Sequence, residues 1–436
     1  MAVRRAVVTL LLIGQAATPA VIAQTAPSTS TLLVRLTGGL TADQQLDVIT
    51  RNGGTVVSAI APLRMYVVEV PSDLEAASIT AYRADTGVES VDIDRAREAQ
   101  AVPSDPDYGS QWALPAIGWD RVYGQVSPVG SSTIAVLDTG VDASVSDLAG
   151  RIVGGWSAFG GDPTSDPSGH GTAVASIAAA STGNGVGIAG VSYANTSIVP
   201  IQVLDASGVG QDSDIINGVV QAVAAGADVI LMAFSSPGYS QALQDAINYA
   251  WASGAVIVAA TGNDAVTTPT FPAGDAKVMG VSATEQDDTL WSGSNRGTDT
   301  FIAAPGVGIS SSVGSITGTS ASAAIVAGAA ALLAAADPTA SNGTIVGRLA
   351  RNADPVASTD QVGNGRIDLA AAVADPATDP VVPAGAPPVG DGGPFVSTYT
   401  AAAMAATASV NVRTRFVGTA ATTYTFTVNK IGRAHV

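Results

Sequence analysis

The chain of 436 residues contains two histidines, His170 and His435, and no cysteine. His170 lies in Ser168-Gly169-His170-Gly171-Thr172, where a glycine on each side allows a tight turn and keeps the imidazole accessible. Upstream, Asp138 closes an apolar run in Leu137-Asp138-Thr139-Gly140; downstream, Ser320 stands in Gly318-Thr319-Ser320-Ala321-Ser322, ahead of a long apolar stretch. A serine hydroxyl is a weak nucleophile until a base takes its proton, and an imidazole does so near neutral pH. The imidazole in turn needs a carboxylate to fix its tautomer and stabilise its charged form. Asp, His and Ser in this order therefore suggest nucleophilic acyl transfer. Each has a plainer reading when taken alone: Gly-Thr-Ser before a helix serves as an N-cap, and Asp138 and Asn263 read as turn residues.

Composition narrows the chemistry. The net charge is −17, and Lys277 and Lys430 are the only lysines. An acidic chain with no basic run argues against nucleic acid and against anionic membrane surfaces. Without cysteine there are no disulfides, thiolate metal sites or cysteine nucleophiles, and two histidines do not make a multi-histidine metal site. Asp-Thr-Gly occurs twice, at Asp85 and Asp138. Paired copies of that triplet mark aspartic proteases, whose two carboxylates share a proton. Those enzymes have β-rich lobes, whereas this chain patterns as α/β.

The elements that must position these groups follow from periodicity. Residues 1–23 have a basic start, an apolar core and a small-residue cleavage site at Val21-Ile22-Ala23, the layout of a secretory signal. The expected location is secreted or periplasmic. No later stretch is long and apolar enough to be read as a membrane span, and Ala321–Ala336 reads as a buried helix. Residues 31–98 form a unit of strand Thr31–Leu36, helix Thr41–Arg51, strands Thr55–Ile60 and Met65–Val70, helix Asp73–Arg83 and strand Val88–Asp94. This β-α-β-β-α-β order is that of a ferredoxin-like sandwich. A polar stretch, Glu98–Tyr108, reads as a processing linker. Beyond it, the continuous apolar runs Thr133–Leu137, Ser197–Leu204, Val229–Ala233 and Ala255–Ala260 alternate with helical patterns. Such runs predict a mostly parallel, doubly wound α/β sheet buried on both faces, with its site at the strand carboxyl ends. Residues 375–393, rich in Pro and Gly, read as a linker, and 395–430 as an incomplete β module. The last six residues, 431–436, read as an assembly artefact, His435 among them.

The motifs resemble those of the subtilases, the subtilisin-like serine peptidases, and within them the thermitase-like branch. The resemblance spans most of residues 31–373. It rests on Pro103-Ser104-Asp105-Pro106, Ala135-Val136-Leu137-Asp138-Thr139-Gly140-Val141, His170-Gly171-Thr172, Ala260-Thr261-Gly262-Asn263, Phe271-Pro272-Ala273 and the serine motif through Val326-Ala327-Gly328. Asp, His, Ser is also the chain order of subtilisin. The resemblance implies a peptidase domain over 103–373 and an inhibitor-type propeptide over 31–98. It implies Asp138 as orienter, His170 as general base, Ser320 as nucleophile and Asn263 as oxyanion donor. It further implies a substrate groove along Ala233, Phe234, Ser235, Ala260, Thr261 and Gly262, and a cis peptide at Phe271-Pro272. A structural calcium site would draw on the Asp105, Asp147 and Asn184 side chains and the carbonyls of Ser181, Val186 and Ile188; six or more hard oxygen ligands suit calcium. No catalytic cofactor is implied. The partners would be polypeptide substrates and the chain's own propeptide, and the protein would act as a monomer.

The chain also departs from the family pattern. Leu231-Met232-Ala233-Phe234-Ser235 stands where Asn-Met-Ser-Leu-Gly is usual, so Phe234 and Ser235 are expected to narrow the pocket. Ala321, Ala324 and Ile325 replace the usual Met, Pro and His after the nucleophile. A second thermitase-type cation site is expected to be lost, with Ser157 and Gly160 in place of carboxylates and only Asp162 and Asp166 left. These departures also allow a non-catalytic binding protein on the same scaffold.

Overall fold

The structure, a computed structural model, describes residues 28–95, 101–356 and 362–393. The expected export signal, the start of the expected linker (98–100) and the expected β module lie outside the described residues. The chain divides after residue 99 into two compact units.

The N-terminal unit contains β1 (Thr29–Leu36), α1 (Ala42–Arg51), β2 (Thr55–Ile60), β3 (Met65–Pro71), α2 (Glu75–Ala84) and β4 (Val88–Ile93). Its strands form one antiparallel sheet in the order β2-β3-β1-β4, as the split pattern predicts. Thr41 opens α1 with a reciprocal capping box: its hydroxyl accepts from Gln44 N, and the Gln44 side chain accepts from Thr41 N. Alternate residues of β1, Leu32, Val34 and Leu36, point into a core with Ile49, Val68 and Tyr82.

The second unit contains α3 (Ala113–Ala116), β5 (Ser132–Asp138), β6 (Trp156–Ser157), α4 (His170–Ala179), β7 (Thr196–Gln202), α5 (Asp212–Ala224), β8 (Val229–Met232), α6 (Gln241–Ala252), β9 (Val256–Ala260), β10 (Val278–Thr284), β11 (Ile302–Pro305), a small hairpin of β12 (Ile309–Ser311) and β13 (Gly314–Ile316), α7 (Thr319–Ala336), α8 (Asn342–Arg351) and α9 (Leu369–Ala374). Seven strands pair in parallel in the order β11-β10-β9-β8-β5-β7-β6. Strand residues alternate between two cores. Ile134, Val136, Val229 and Leu231 pack with α4 and α7; Ala135, Leu137, Ile230 and Met232 pack with α5 and α6. Burial on both faces explains why these strands read as continuous apolar runs.

Among the described residues, α7 alone is long and apolar enough to cross a membrane, and 83% of it is buried inside the fold. It is a core helix, as its Ala- and Gly-rich sequence suggests. The expected linker at 375–393 is different in the structure. Val381 and Ala386 are buried; Val381 N donates to Gly343 O, Lys277 N to Pro383 O and Ala386 N to Gly274 O. Prolines and glycines suit a flexible linker, but they also suit an extended strap packed closely on a domain, and here they form the strap.

Candidate active site

The sheet carries the candidate groups at its carboxyl ends. Asp138 is the last residue of β5 and is fully buried. His170 is the first residue of α4, after Gly169 in a left-handed conformation (φ 81°). Gly171 has no room for a side chain, since a Cβ there would collide with Gly140 O; its absence lets the start of α4 close onto the end of β5. This approach sets His170 Nδ1 2.8 Å from Asp138 Oδ1. The same oxygen accepts from Thr139 N at 2.8 Å. Burial disfavours the imidazolium, but the charge and hydrogen bond of Asp138 outweigh it and the charge of Asp166 adds to them, so the His170 pKa lies above its ordinary value.

Asp166 also ties the two elements together. It accepts from the Thr139 hydroxyl at 2.8 Å, from Thr172 N at 2.8 Å and from the Thr172 hydroxyl at 2.6 Å. Asp162 is taken up by Thr164 N and Oγ1, and Ser157 Oγ donates to Gln202 Oε1. The residues expected as remnants of a second cation site are thus engaged within the protein.

Ser320 is the second residue of α7. Its hydroxyl donates to Ala233 O, just beyond β8, at 2.8 Å. No hydrogen bond joins it to His170 among the described residues; without substrate, such contacts are commonly loose. Asn263 follows β9. Its Oδ1 accepts from Thr319 N at 2.9 Å and from Thr319 Oγ1 at 3.1 Å. With the oxygen so held, Nδ2 is the free end, close to Gly318 and the start of α7. The first N–H groups of a helix lack intrahelical partners, so the Ser320 N–H is a second donor of the same kind.

The groove segments turn out unequal. Ala233 lies in the core on the α7 side, whereas Phe234 is half-buried against the core on the α5 and α6 side. Phe234, two residues beyond the end of β8, is thus partly covered by that core. Ser235 follows in the same segment. Its Oγ lies 2.5 Å from where a Cβ on Gly262 (φ 106°) would stand, so its hydroxymethyl occupies the space between the ends of β8 and β9. Ala260 and Thr261 are buried. The Phe271–Pro272 bond is cis, as expected.

The carboxylate of the rival reading, Asp85, is engaged within its own unit. Asp85, in the N-terminal unit, accepts from Arg51 Nε and Nη2, Asn52 Nδ2 and Gly87 N. The Arg51 guanidinium holds it well below the usual carboxylate range. A carboxylate so held is a poor partner for sharing a proton.

Of the residues expected to hold calcium, the Asp105, Asp147 and Asn184 side chains lie together against the loop 181–188. Asp105 and Asp147 are both buried. Asp105 accepts from Gly183 N at 2.7 Å and Asn184 N at 3.3 Å; Asp147 accepts from Asn184 Nδ2 at 3.1 Å, Ile188 N at 2.9 Å and Ser312 Oγ at 2.7 Å. Ser181 N donates to Asp147 O, and Asn184 Oδ1 accepts from Val186 N. A Cβ on Gly187 would collide with Asp147 Oδ2, so the loop wraps tightly around that carboxylate. An all-oxygen donor set with two buried carboxylates fits a hard cation. Among the described residues no group of three or more His, Cys, Asp or Glu is placed to hold a metal, so backbone carbonyls would have to complete the shell.

The subtilase family model matches residues 130–370. The chain belongs to the subtilase family. Thermitase of Thermoactinomyces vulgaris is 38% identical over 283 residues, covering 62% of this chain and 99% of thermitase. Subtilisin DY of Bacillus licheniformis is 37% identical over 284 residues, covering 63% and 99%. A solved protease of Pseudoalteromonas arctica is 31% identical, with a TM-score of 0.56 over 63% of this chain and 99% of that one. This subtilase is a subtilisin-like serine endopeptidase with an α/β fold, and its substrates are polypeptides. Thr319 and Asp166, which anchor the candidate groups, carry no separate signal in the sequence: Thr319 reads as part of the serine motif and Asp166 as a leftover acid.

Proposed function

We propose that this subtilase is exported and cleaves peptide bonds through an acyl-enzyme formed on Ser320, with His170 as general base, Asp138 as its orienter and Asn263 as oxyanion donor. The observation that carries the reading is the 2.8 Å contact between buried Asp138 and His170, the only imidazole outside the last six residues. Asp138 fixes the proton on Nδ1, which leaves Nε2 free to accept. Ser320 Oγ leaves the Ala233 carbonyl, gives its proton to His170 Nε2 and bonds to the scissile carbonyl carbon. The carbonyl electron pair moves onto oxygen, where Asn263 Nδ2 and Ser320 N–H donate to it. Collapse breaks the carbon–nitrogen bond as His170 protonates the leaving amine. Water then repeats the sequence with the acyl group and restores Ser320.

Ser235 restricts the residue on the acyl side of the cut to small side chains. Calcium, held by Asp105, Asp147, Asn184 and the loop carbonyls of Ser181, Val186 and Ile188, supplies stability and takes no part in the steps above. Residues 31–98 act as an inhibitor-type propeptide, removed by self-cleavage between Glu98 and Pro103. One observation favours a second reading, a catalytically impaired binding protein: the Ser320 hydroxyl is bonded to Ala233 O and not to His170. Labelling by a fluorophosphonate separates the two. Wild type labels at Ser320 and Ser320→Ala does not. Absence of labelling in correctly folded wild type refutes the peptidase mechanism.

A further inference from the structure

Asn263 lies in an irregular stretch, 261–266, between β9 and the cis Phe271–Pro272 bond. Gly262 has φ 106° and Ala265 has φ 58°, the latter a conformation that residues with a side chain seldom adopt. Such a stretch needs an external template, and Asn295 supplies one. Asn295 N donates to Gly262 O at 2.9 Å. Its Nδ2 donates to Thr261 O at 2.8 Å, and its Oδ1 accepts from Asp264 N at 2.9 Å and Val266 N at 3.1 Å. Two N–H groups facing one end of the amide and a carbonyl facing the other fix its orientation. The side chain is fully buried, and the Asn295 carbonyl is itself held by Ser282 Oγ at 2.9 Å. These contacts bracket Asn263 on both sides and leave it untouched, while Thr319 holds its side-chain oxygen.

We propose that Asn295 is a positioning residue for oxyanion stabilisation: it moulds residues 261–266 so that the Asn263 amide nitrogen is aimed beside Ser320. The inference rests on the reading of Asn263 as oxyanion donor. Such a donor works only within about 2.7–3.1 Å of the developing oxyanion, so a shifted turn lowers kcat.

The test is a double-mutant cycle on the whole enzyme with a peptide substrate. Asn295→Ala and Asn295→Asp are each made alone and with Asn263→Ala. Asn295→Asp keeps an acceptor for Asp264 N and Val266 N and turns only the Thr261 contact repulsive, so it carries the cycle if Asn295→Ala fails to fold. Loss of a whole donor costs about 100- to 1000-fold in kcat, so a displaced one is expected to cost about 10- to 100-fold in kcat. On the Asn263→Ala background the same substitutions should cost less than about twofold, the range of independent sites. Equal fold-losses on both backgrounds overturn the inference and leave the oxyanion reading standing. Full kcat in Asn263→Ala alone overturns the oxyanion reading, and the inference with it.

Discussion

Asp275 follows the Phe271–Pro272 bend, is fully buried, and has neither carboxylate oxygen hydrogen-bonded among the described residues. Burial, reinforced by the negative charge of Asp212, raises its pKa from 3.8 to about 7. The folded protein thus holds this proton more tightly than the unfolded chain does. Between the two pKa values folding takes up a proton, so the contribution of this group to stability is greatest at acid pH, falls as pH rises to about 7 and is flat above that. At about 1.36 kcal/mol per pKa unit, the full shift costs the ionised native state about 4 kcal/mol near pH 8, but only about 1 kcal/mol near pH 4.5. The first figure is an upper bound, because water entering around the carboxylate relieves part of it. Asp275→Asn keeps the shape and removes the charge, and any packing cost it carries is the same at both pH values. The variant is therefore expected to gain up to about 3 kcal/mol on wild type between pH 4.5 and pH 8. Denaturant unfolding on a Ser320→Ala background measures this without self-digestion, which would drain the unfolded state irreversibly. An Asp275→Asn effect that is equal at the two pH values, or more favourable in acid, refutes the reasoning.

The acid limb of kcat/KM is expected above the ordinary histidine value of about 6.5, because the neutral imidazole is the active base and its neighbours raise its pKa. Asp166→Asn should move that limb to lower pH; an unmoved limb shows that Asp166 does not act on His170. Removing the Ser235 hydroxymethyl by Ser235→Gly should raise kcat/KM for a large residue on the acyl side relative to alanine by about 10-fold or more, the scale of one group in a pocket; an unchanged ratio sinks the pocket assignment. A chelator should lower the melting temperature, since a cation at 100 times its dissociation constant adds about 2.7 kcal/mol. Asp147→Ala should abolish that response, and identical melting curves with and without chelator refute the site.

What was legible in the sequence was the supply of chemical groups; what was not legible was their aim. β5, β7, β8 and β9 stand out because burial on both faces leaves nearly unbroken apolar runs, and His170 stands out because the chain offers no other interior imidazole. β10 is just as buried and as long as β5, yet Gly280, Ser282 and Thr284 interrupt its apolar residues. Phe234 and Ser235 are neighbours in sequence, yet Phe234 packs on the core beside α5 and α6 while the Ser235 hydroxyl lies against Gly262, a distinction that composition does not encode. Asn295 sits in Ser292-Gly293-Ser294-Asn295-Arg296-Gly297, which has the look of any polar loop. Its meaning lies in bonds to backbone groups some 30 residues away, at Thr261, Asp264 and Val266. The same holds for the nucleophile. Gly-Thr-Ser announces a serine at a helix start, but only the fold turns its hydroxyl to Ala233 O and sets Thr319 to grip Asn263. Catalytic power in the proposed mechanism depends on sub-ångström aim, so the residues expected to matter next after Asp138, His170 and Ser320 are those, like Asn295 and Asp166, whose sequence context is ordinary and whose contacts are long-range.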